Sequence, residues 1–511
     1  MNTKIVKLLP MLLAGVMVGC STSEDGEAEL YGYNYGLMDE YGEGIPNEQG
    51  GDQFDEFTDN PFIKVADAPV STFSVDADGA SYAIMRRYAN SGYEIAPASV
   101  RIEEYLNYFT FDYPAPTDGN TVAVNAEVGV CPWNADHRLL RLGIKGKELK
   151  ENEVPQANFV FLVDVSGSMD SSDKLDLLKS GLITLLGQLN PEDRISLITY
   201  SGEVKKVLES TPVRKADKIK KAIKQLKADG CTAGGAALRM AYEEASTNYN
   251  PKYNNRVIMG TDGDFNVGVT SVDSLVSMVE RYASKGIYMT CLGFGQGNLN
   301  DGMMEKVSNA GNGTYYYIDS ENEMMKVFVH ERERFVSVAN DAKCQISFDE
   351  TMVSEYRLIG YENRVLSNED FEDDKKDAGE IGAGQTITAL YEIVPTDKFD
   401  ECLQDVSSQR HVFATFDFRY KKSLNSSSIP MKVEVAVEDM YDSNKNLLPT
   451  SENFNFAAGV AAYGMVLRNS PYKGNASIIM ASDLVLNSCS FDPHGYRSEL
   501  LNIMQKIKVK E

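Results

Sequence analysis

Three groups of small oxygen-bearing side chains lie in the middle of the chain. Asp164, Ser166 and Ser168 form a D-x-S-x-S pattern directly after the apolar run FVFLV. Thr232 lies in the glycine-rich stretch DGCTAGGAAL, and Asp262 ends a second apolar run in MGTDGD. Three hydroxyls and two carboxylates, without imidazole or thiolate, match a hard divalent cation such as Mg²⁺. Two carboxylates leave such an ion able to accept one more anion from outside.

The segment that carries these groups, about residues 158–335, alternates apolar strands with amphipathic helices. After the first strand, leucines recur at helical spacing from Leu175 to Leu189. Near-continuous apolar strands interleaved with helices predict an α/β fold with a doubly wound, mostly parallel, Rossmann-like sheet covered on both faces. Because ligands bind at the carboxyl ends of parallel strands, we expect the three groups to converge there.

The flanking segments have different patterns. Residues 61–150 predict a small α+β N-terminal segment, whose stretch HRLLRLGIKGKEL reads as a strand leading into the next domain. Residues 339–450 alternate apolar and polar side chains, which predicts an antiparallel, sandwich-like β domain. Residues 451–511 predict a C-terminal helical segment.

The acids of D-A-D-G at 76–79 could begin a calcium loop, but Arg87 stands where a bidentate Glu would close it, so we predict a turn.

The N-terminus has the composition of an export signal. Lys4 and Lys7 precede a short apolar stretch that ends in V-G-C at Cys20. That stretch is too short to span a bilayer. The V-G-C ending resembles a bacterial lipobox, which implies a signal peptide over residues 1–19 and lipidation of Cys20. We therefore expect a lipid anchor to be the chain's only attachment to a membrane.

Residues 20–60 are rich in Gly, Asp, Glu and Tyr and contain few aliphatic side chains. Such a segment cannot bury enough apolar surface to fold alone, so we predict an acidic, disordered tether. Its S-E-D opening resembles the export signal of surface lipoproteins in some Gram-negative bacteria. We expect a location in the cell envelope, with the outer membrane or cell surface favoured over the inner membrane.

The overall charge limits the class of partner. Lys and Arg number 50 against 75 Asp and Glu, a net charge of -25. An acidic chain without a basic patch repels nucleic acid and anionic membrane surfaces, so we expect no nucleic-acid partner. The 7 cysteines show no C-x-x-C spacing, so neither a zinc site nor a redox motif is predicted, and the sequence assigns no disulfide pairing.

DVSGS, the Thr232 loop and TDGD, in this order, closely resemble the metal-ion-dependent adhesion site of von Willebrand factor type A (VWA) domains. The resemblance implies a VWA domain over residues 155–338 and a site that holds Mg²⁺, or Mn²⁺ or Ca²⁺. It also implies that an exposed Asp or Glu of a protein partner completes the coordination. The ligand roles carry over to five residues of this chain: Asp164, Ser166, Ser168, Thr232 and Asp262.

Two further features bear on this resemblance. Gly260 stands where the family commonly has a larger apolar residue, so we expect looser packing beside the site. The flanking stretches, including VRIEEYLNYFTFDYP and FAAGVAAYGMVLRNSPYKG, resemble those of bacterial VWA lipoproteins with their own N-terminal segment and C-terminal domain.

Catalysis is not favoured by the sequence. The serine pattern lacks the G-x-S-x-G of a nucleophile elbow, and none of the four histidines lies beside it. GFGQGN lacks the lysine of a phosphate-binding loop. We therefore predict a non-enzymatic protein that binds a partner through its metal. The alternatives are an envelope assembly factor whose metal only stabilises loops and, less favoured, a metal-dependent hydrolase.

Overall fold

The computed structural model describes residues 51–230, 234–263, 272–376, 378–402 and 410–507. Its strands form three sheets, and helices pack around and between them. The strands are β1 Ile63–Lys64, β2 Val70–Ser74, β3 Val122–Val130, β4 Arg138–Gly146, β5 Ala157–Asp164, β6 Arg194–Tyr200, β7 Val204–Pro212, β8 Asn254–Thr261, β9 Ile287–Phe294, β10 Tyr315–Ile318, β11 Ser337–Phe348, β12 Val353–Ile359, β13 Val365–Leu366, β14 Gly379–Gly382, β15 Thr386–Pro395, β16 Val412–Lys421 and β17 Ile429–Ala436. The helices are α1 Ala80–Ser91, α2 Ile102–Asn107, α3 Leu175–Leu186, α4 Ala216–Lys224, α5 Gly234–Thr247, α6 Val272–Ala283, α7 Asp301–Ala310, α8 Glu321–Met325, α9 Asp397–Glu401, α10 Glu452–Leu467, α11 Ile478–Leu486 and α12 Tyr496–Met504.

The central sheet has the strand order β10-β9-β8-β5-β6-β7. Its neighbours run parallel except for β7, which pairs antiparallel with β6 at the edge. Every residue of β5 is buried. Phe161 packs into the core on one face of the sheet and Leu162 into the core on the other. The predicted α/β fold with a mostly parallel sheet covered on both faces is thereby confirmed.

The helix that follows β5 is also found where leucine spacing predicts it. Leu175, Leu178, Leu182 and Leu185 of α3 are buried in the same core as Phe161. Spacing of three or four residues places them on one side of the helix. The side of α3 that faces the sheet is thus determined by the local sequence.

The two other sheets are antiparallel, with the orders β1-β12-β15-β4-β3 and β13-β2-β11-β16-β17, and β14 also pairs with β11. Residues of both sheets share one apolar core, which makes this region a β-sandwich. Each sheet combines strands that precede the central domain with strands that follow it: β2 pairs with β11, and β4 with β15.

These pairings change the predicted division of the chain. The N-terminal segment, 61–150, and the antiparallel β domain, 339–450, were expected as separate units, yet they build the same two sheets. The strand expected to lead into the next domain is β4, which instead lies inside the first of these sheets between β3 and β15. A local apolar pattern identifies a strand but carries no information about a partner so distant in sequence.

The N-terminal helices α1 and α2 and the C-terminal helices α10, α11 and α12 share a separate apolar core. Ile102 and Tyr105 of α2 pack with apolar residues of α10, α11 and α12. The approach is close, since a Cβ added at Gly464 of α10 would lie 3.0 Å from Ile102 Cγ1. The C-terminal helical segment is therefore packed against N-terminal elements.

Residues 51–60, expected within the tether, are bound to the folded chain. Asp52 pairs with Arg87, and its Oδ1 accepts a hydrogen bond of 2.8 Å from the amide of Gly297. Asp59 pairs with Arg468 at 3.0 Å. Acidic residues in this stretch thus pair with arginines of the folded chain, which composition alone does not reveal. The rest of the tether, the signal peptide and Cys20 lie outside the described residues.

Among the described cysteines, four are free thiols: Cys131, Cys291, Cys344 and Cys489. Burial raises the pKa of the Cys291 thiol, which keeps it protonated and inert. None of the described helices has both the length and the apolar character needed to cross a bilayer.

Candidate metal centre

The carboxyl ends of β5 and β8 position the two aspartates. The strands are parallel neighbours, with Val163 opposite Gly260, so Asp164 lies beside Thr261 and one residue from Asp262. Asp164 is fully buried. Its Oδ2 accepts a hydrogen bond of 2.9 Å from Thr261 Oγ1, and its Oδ1 accepts one of 2.9 Å from the amide of Ser166. Both hydrogen bonds fix the orientation of this carboxylate.

The two serines follow in the loop after β5. Ser166 Oγ lies 3.1 Å from Ser168 Oγ, and Ser168 is exposed whereas Ser166 is buried. The loop is fastened to the one before α5, because the amide of Gly167 donates to the carbonyl of Gly230 at 3.0 Å. Thr232 follows Gly230 closely in sequence but lies outside the described residues. Four of the five predicted ligands are therefore described, and they meet at one end of the sheet.

Lys174 also reaches this site, which sequence reasoning missed. Its Nζ donates to Asp262 Oδ2 at 3.0 Å and to the carbonyl of Ser168 at 2.9 Å, and lies 3.4 Å from Asn298 Oδ1. A Cβ at Gly295 would lie 2.1 Å from Lys174 Cε, so this glycine leaves room for the lysine side chain. A single lysine that belongs to no ligand motif cannot be assigned to a site from the sequence alone.

The electrostatic environments of the two aspartates differ. Burial, and to a smaller extent the charge of Asp262, raise the pKa of Asp164 to about 6, although hydrogen bonds from Ser166 and Thr261 act to lower it. Burial also disfavours ionised Asp262, yet hydrogen bonds from Asn298, Lys174 and Ser168 lower its pKa below the usual value. Asp262 thus has an ammonium partner, whereas the described neighbours of Asp164 supply only neutral hydrogen bonds.

These residues fit a divalent cation. Their donor atoms are carboxylate and hydroxyl oxygens, which suit Mg²⁺, Mn²⁺ or Ca²⁺. Two buried carboxylates this close repel each other unless a cation or a proton separates them. The ammonium of Lys174, which pairs with Asp262, shows that the carboxylates at this end of the sheet attract positive charge.

The packing beside the site is tight. A Cβ added at Gly260 would lie 2.6 Å from Leu178 Cδ2. The expectation of looser packing at Gly260 is therefore wrong, because Leu178 of α3 fills the space that a larger residue on β8 would occupy.

Comparison with known proteins places the chain in a family. Residues 158–330 match the von Willebrand factor type A domain, residues 48–141 match the family described as von Willebrand factor, and residues 333–509 match the family described as uncharacterized protein YfbK, C-terminal. Uncharacterized protein YfbK of Escherichia coli (strain K12) is 36% identical over 469 residues, which cover 89% of this chain and 80% of that protein. The chain belongs to the YfbK family.

Solved structures similar to this YfbK-family chain include a von Willebrand factor type A protein from Catenulispora acidiphila. It is 15% identical, covers 76% of this chain and 91% of its own, and has a TM-score of 0.44. Proximal thread matrix protein 1 of the mussel byssus, with a zinc-occupied MIDAS motif, is 20% identical, covers 35% of this chain and 48% of its own, and has a TM-score of 0.30. VWA domains generally mediate protein–protein interactions and often carry such a metal site.

The contact between Lys174 and Asp262 in this YfbK-family chain predicts competition with a metal. Lys174→Met removes the ammonium from Asp262 and lowers the positive charge beside a bound divalent ion. We expect Mg²⁺ to bind about tenfold more tightly, which corresponds to about 1.4 kcal/mol. Isothermal titration calorimetry measures the change, with Lys179→Met as the control because Lys179 pairs with Asp176 on the same helix. Weaker Mg²⁺ binding by Lys174→Met alone would contradict competition.

The raised pKa of Asp164 predicts that Mg²⁺ binding depends on pH. The carboxylate must be deprotonated to bind a metal, and its pKa is raised to about 6. We expect a constant affinity well above this pH and a fall of about tenfold per pH unit well below it, since one proton is displaced. Titrations from acidic to neutral pH measure this dependence.

Thr261→Val supplies a matched test of the same assignment. Loss of the Thr261 hydrogen bond to Asp164 raises the carboxylate pKa further, so the fall should begin at a higher pH. An unchanged pH profile in this variant, or an affinity in the wild type that does not fall in acid, would rule out Asp164 as the titrating ligand.

Proposed function

We propose that the chain captures a protein partner through a metal-ion-dependent adhesion site. In this proposal five residues hold Mg²⁺, with Mn²⁺ or Ca²⁺ as substitutes, and an exposed Asp or Glu of the partner binds the ion directly. When bound, the ion supplies the positive charge that attracts the partner's carboxylate. The five residues are Asp164, Ser166, Ser168, Thr232 and Asp262.

The proposal is supported above all by the meeting of two buried carboxylates and two hydroxyls at one end of a parallel sheet. Asp164 lies at the bottom of this group, and Ser168 lies exposed at its rim. Such a gradient from buried to exposed oxygen ligands leaves the outer side of an ion accessible to a second molecule.

The first alternative is an envelope assembly factor in which the ion only stabilises the loops. It shares the ligands but predicts a partner surface elsewhere on the chain. The metal-dependent hydrolase is less favoured because such enzymes typically use a two-metal cluster rich in histidine or carboxylate ligands, whereas the proposed ligands are two carboxylates and three hydroxyls. The contacts of the histidines among the described residues also do not point to a serine nucleophile. His137 contacts Glu392, His411 contacts Glu438, and His330 stacks on His494. A serine–histidine pair is not among these contacts.

Partner capture by the wild type and by Asp164→Ala distinguishes adhesion from assembly. We expect capture from envelope extract to require Mg²⁺, to be abolished by EDTA, and to fall at least about a hundredfold in Asp164→Ala and Thr232→Ala, because the ion that carries the partner's carboxylate is lost. Asp176→Ala, an exposed aspartate on α3, is the matched control and should bind normally.

Thermal unfolding of the same variants completes the comparison. Adhesion predicts that Asp164→Ala remains folded while capture is lost. Undiminished capture by Asp164→Ala, together with a lower unfolding temperature, would refute adhesion in favour of the assembly role.

We also propose that the mature chain is anchored in the cell envelope by lipid on Cys20, with the outer membrane or cell surface favoured over the inner membrane. The support is the charged start, the short apolar run and the V-G-C ending of the first twenty residues. In this proposal the membrane is contacted through the lipid alone, and residues 21–50 connect the anchor to the folded chain.

Cys20→Ser tests the anchor. We expect the wild type to sediment with membranes and Cys20→Ser to move to the soluble fraction, because the thiol that carries the lipid is absent. Cys489→Ser is the control, since Cys489 is a half-buried free thiol and should not affect sedimentation. Protease treatment of intact cells then separates an outward-facing from an inward-facing chain. Membrane retention of Cys20→Ser would exclude lipid on this residue as the anchor.

A further inference from the structure

Lysines make up much of the exposed side of helix α4 and of the residues next to it. Residues 214–227 hold seven of the 50 lysines and arginines of this chain and a single acid, Asp217. The chain as a whole has a net charge of -25, so this stretch reverses the sign of the charge locally. The expectation of a chain without a basic patch is therefore wrong at α4. We call its lysines the basic face: Lys215, Lys218, Lys220, Lys221, Lys224 and Lys227.

The packing of α4 determines the direction in which the basic face points. Ile219 and Ile223 of α4 are fully buried, and Leu226 is buried just after the helix, in the core that α3 shares with the central sheet. The lysines occupy other positions and are exposed, apart from half-buried Lys220. The basic face is therefore directed to solvent and not into the fold.

The lysines of the basic face have no acidic partner in the fold. None of the six forms an ion pair with another described residue, whereas basic residues close to them in sequence do. Lys206 on the neighbouring strand β7 pairs with Glu244 at 2.6 Å, and Arg214 pairs with Glu192. The positive charge of the basic face is thus left for molecules outside the chain.

The spacing of these lysines has a cost to the chain. Lys218, Lys221 and Lys224 recur every three residues on α4, and like charges at this spacing destabilise a helix. A high net charge keeps a protein soluble, but these lysines lower the magnitude of a net charge that is already strongly negative. Solubility therefore does not account for the basic face.

The basic face begins beside the candidate metal centre. Residues 225–230 lead from α4 to the loop that carries two of the proposed ligands, where the amide of Asp229 donates to the carbonyl of Val165 at 2.8 Å. Lys227 lies two residues before Asp229. From Lys224 back to Lys215 the face extends about 14 Å along α4, at about 1.5 Å per residue. A partner bound at the metal centre therefore has the basic face next to it.

We propose that the basic face binds an acid-rich segment of the same protein partner whose Asp or Glu binds the metal. This inference rests on the function proposed above and adds that the partner carries several further acids. Carboxylates are favoured over sulfate or phosphate groups because the neighbouring metal centre is proposed to take a carboxylate as well. Lysines act as point charges without the fixed fork of arginine, which suits a flexible acidic segment. An extended segment covers the length of the face with about four residues.

Binding to such a face depends strongly on salt. Complementary charges speed the encounter of two proteins, and salt screens them over about 8 Å at physiological ionic strength. Loss of lysines from the basic face should therefore weaken binding most at low ionic strength.

Binding of a fluorescein-labelled dodecamer of glutamate to the full chain, followed by fluorescence anisotropy, tests the proposal. The triple variant Lys218→Gln, Lys221→Gln, Lys224→Gln removes three charges and keeps residues that favour helix. With Mg²⁺ and about 50 mM NaCl, we expect its affinity for the peptide to be at least about tenfold lower than that of the wild type. At about 200 mM NaCl the difference should shrink to less than about threefold.

A second triple variant is the matched control. Lys64→Gln, Lys150→Gln and Lys252→Gln remove the same charge from exposed lysines that lie outside α4 and β7. We expect the control to bind the peptide within about twofold of the wild type, because distant charges are screened. An equal loss in both triple variants would show a response to net charge alone and would overturn the proposal.

EDTA separates this inference from the adhesion site. Peptide binding that is lost in EDTA but unaffected by the triple variant of α4 would overturn the role of the basic face and leave adhesion standing. Binding that depends on these lysines but not on Mg²⁺ would support the basic face and count against the metal.

Two other occupants of the basic face give different results. Tighter binding of a heparin oligosaccharide of equal charge, independent of Mg²⁺, would assign the face to a polysaccharide and refute a protein partner. Sedimentation velocity at low salt examines the other, a second copy of this acidic chain. Self-association of the wild type that the triple variant of α4 abolishes would assign the face to that copy and likewise refute the proposal.

Discussion

Two buried carboxylates held together at the end of a parallel sheet impose the main constraint on this protein. The register of β5 and β8 brings Asp164 and Asp262 to the same edge, and hydrogen bonds from Thr261 and Ser166 prevent Asp164 from turning away. Their mutual repulsion is relieved by a cation or by a proton. Lys174 pairs with Asp262 but not with Asp164, so a small cation between the two carboxylates would be electrostatically favourable.

A second constraint is that strands before the central domain pair with strands after it. The domain is inserted between β4 and β11, and the strands on either side of the insertion pair with one another in both sheets of the sandwich. Pairing of β2 with β11 and of β4 with β15 joins the strands before the insertion to the strands after it in both sheets. Such long-range pairing requires closure of large loops before the strand contacts form, so we expect the sandwich to fold more slowly than the local elements.

The sequence predicts the central fold well because its signals are local. Apolar runs identify β5 and β8, and leucine spacing identifies α3 and the side it buries. Four of the proposed ligands meet as the topology of a parallel sheet requires. The shared sandwich, Lys174 and the tight fit of Gly260 against Leu178 could not be predicted, because each depends on a contact between residues far apart in the chain. The same holds for three buried acids that meet in the fold, Asp76, Glu104 and Glu305, since single carboxylates on separate elements form no motif.

Helix α7 lies between the candidate metal centre and a second group of buried acids, Asp76, Glu104 and Glu305. Asn298, just before it, contacts Lys174 at the metal centre, and Asn300 caps it by accepting a hydrogen bond of 3.1 Å from the amide of Met303. A Cβ at Gly263 would lie 2.6 Å from the amide nitrogen of Asn300, so the residue after Asp262 packs directly on the start of this helix. One turn later Glu305 enters the second group. If a metal ion replaced Lys174 on Asp262, the contact between Lys174 and Asn298 just before α7 would be lost, and this helix would be the element that senses the exchange.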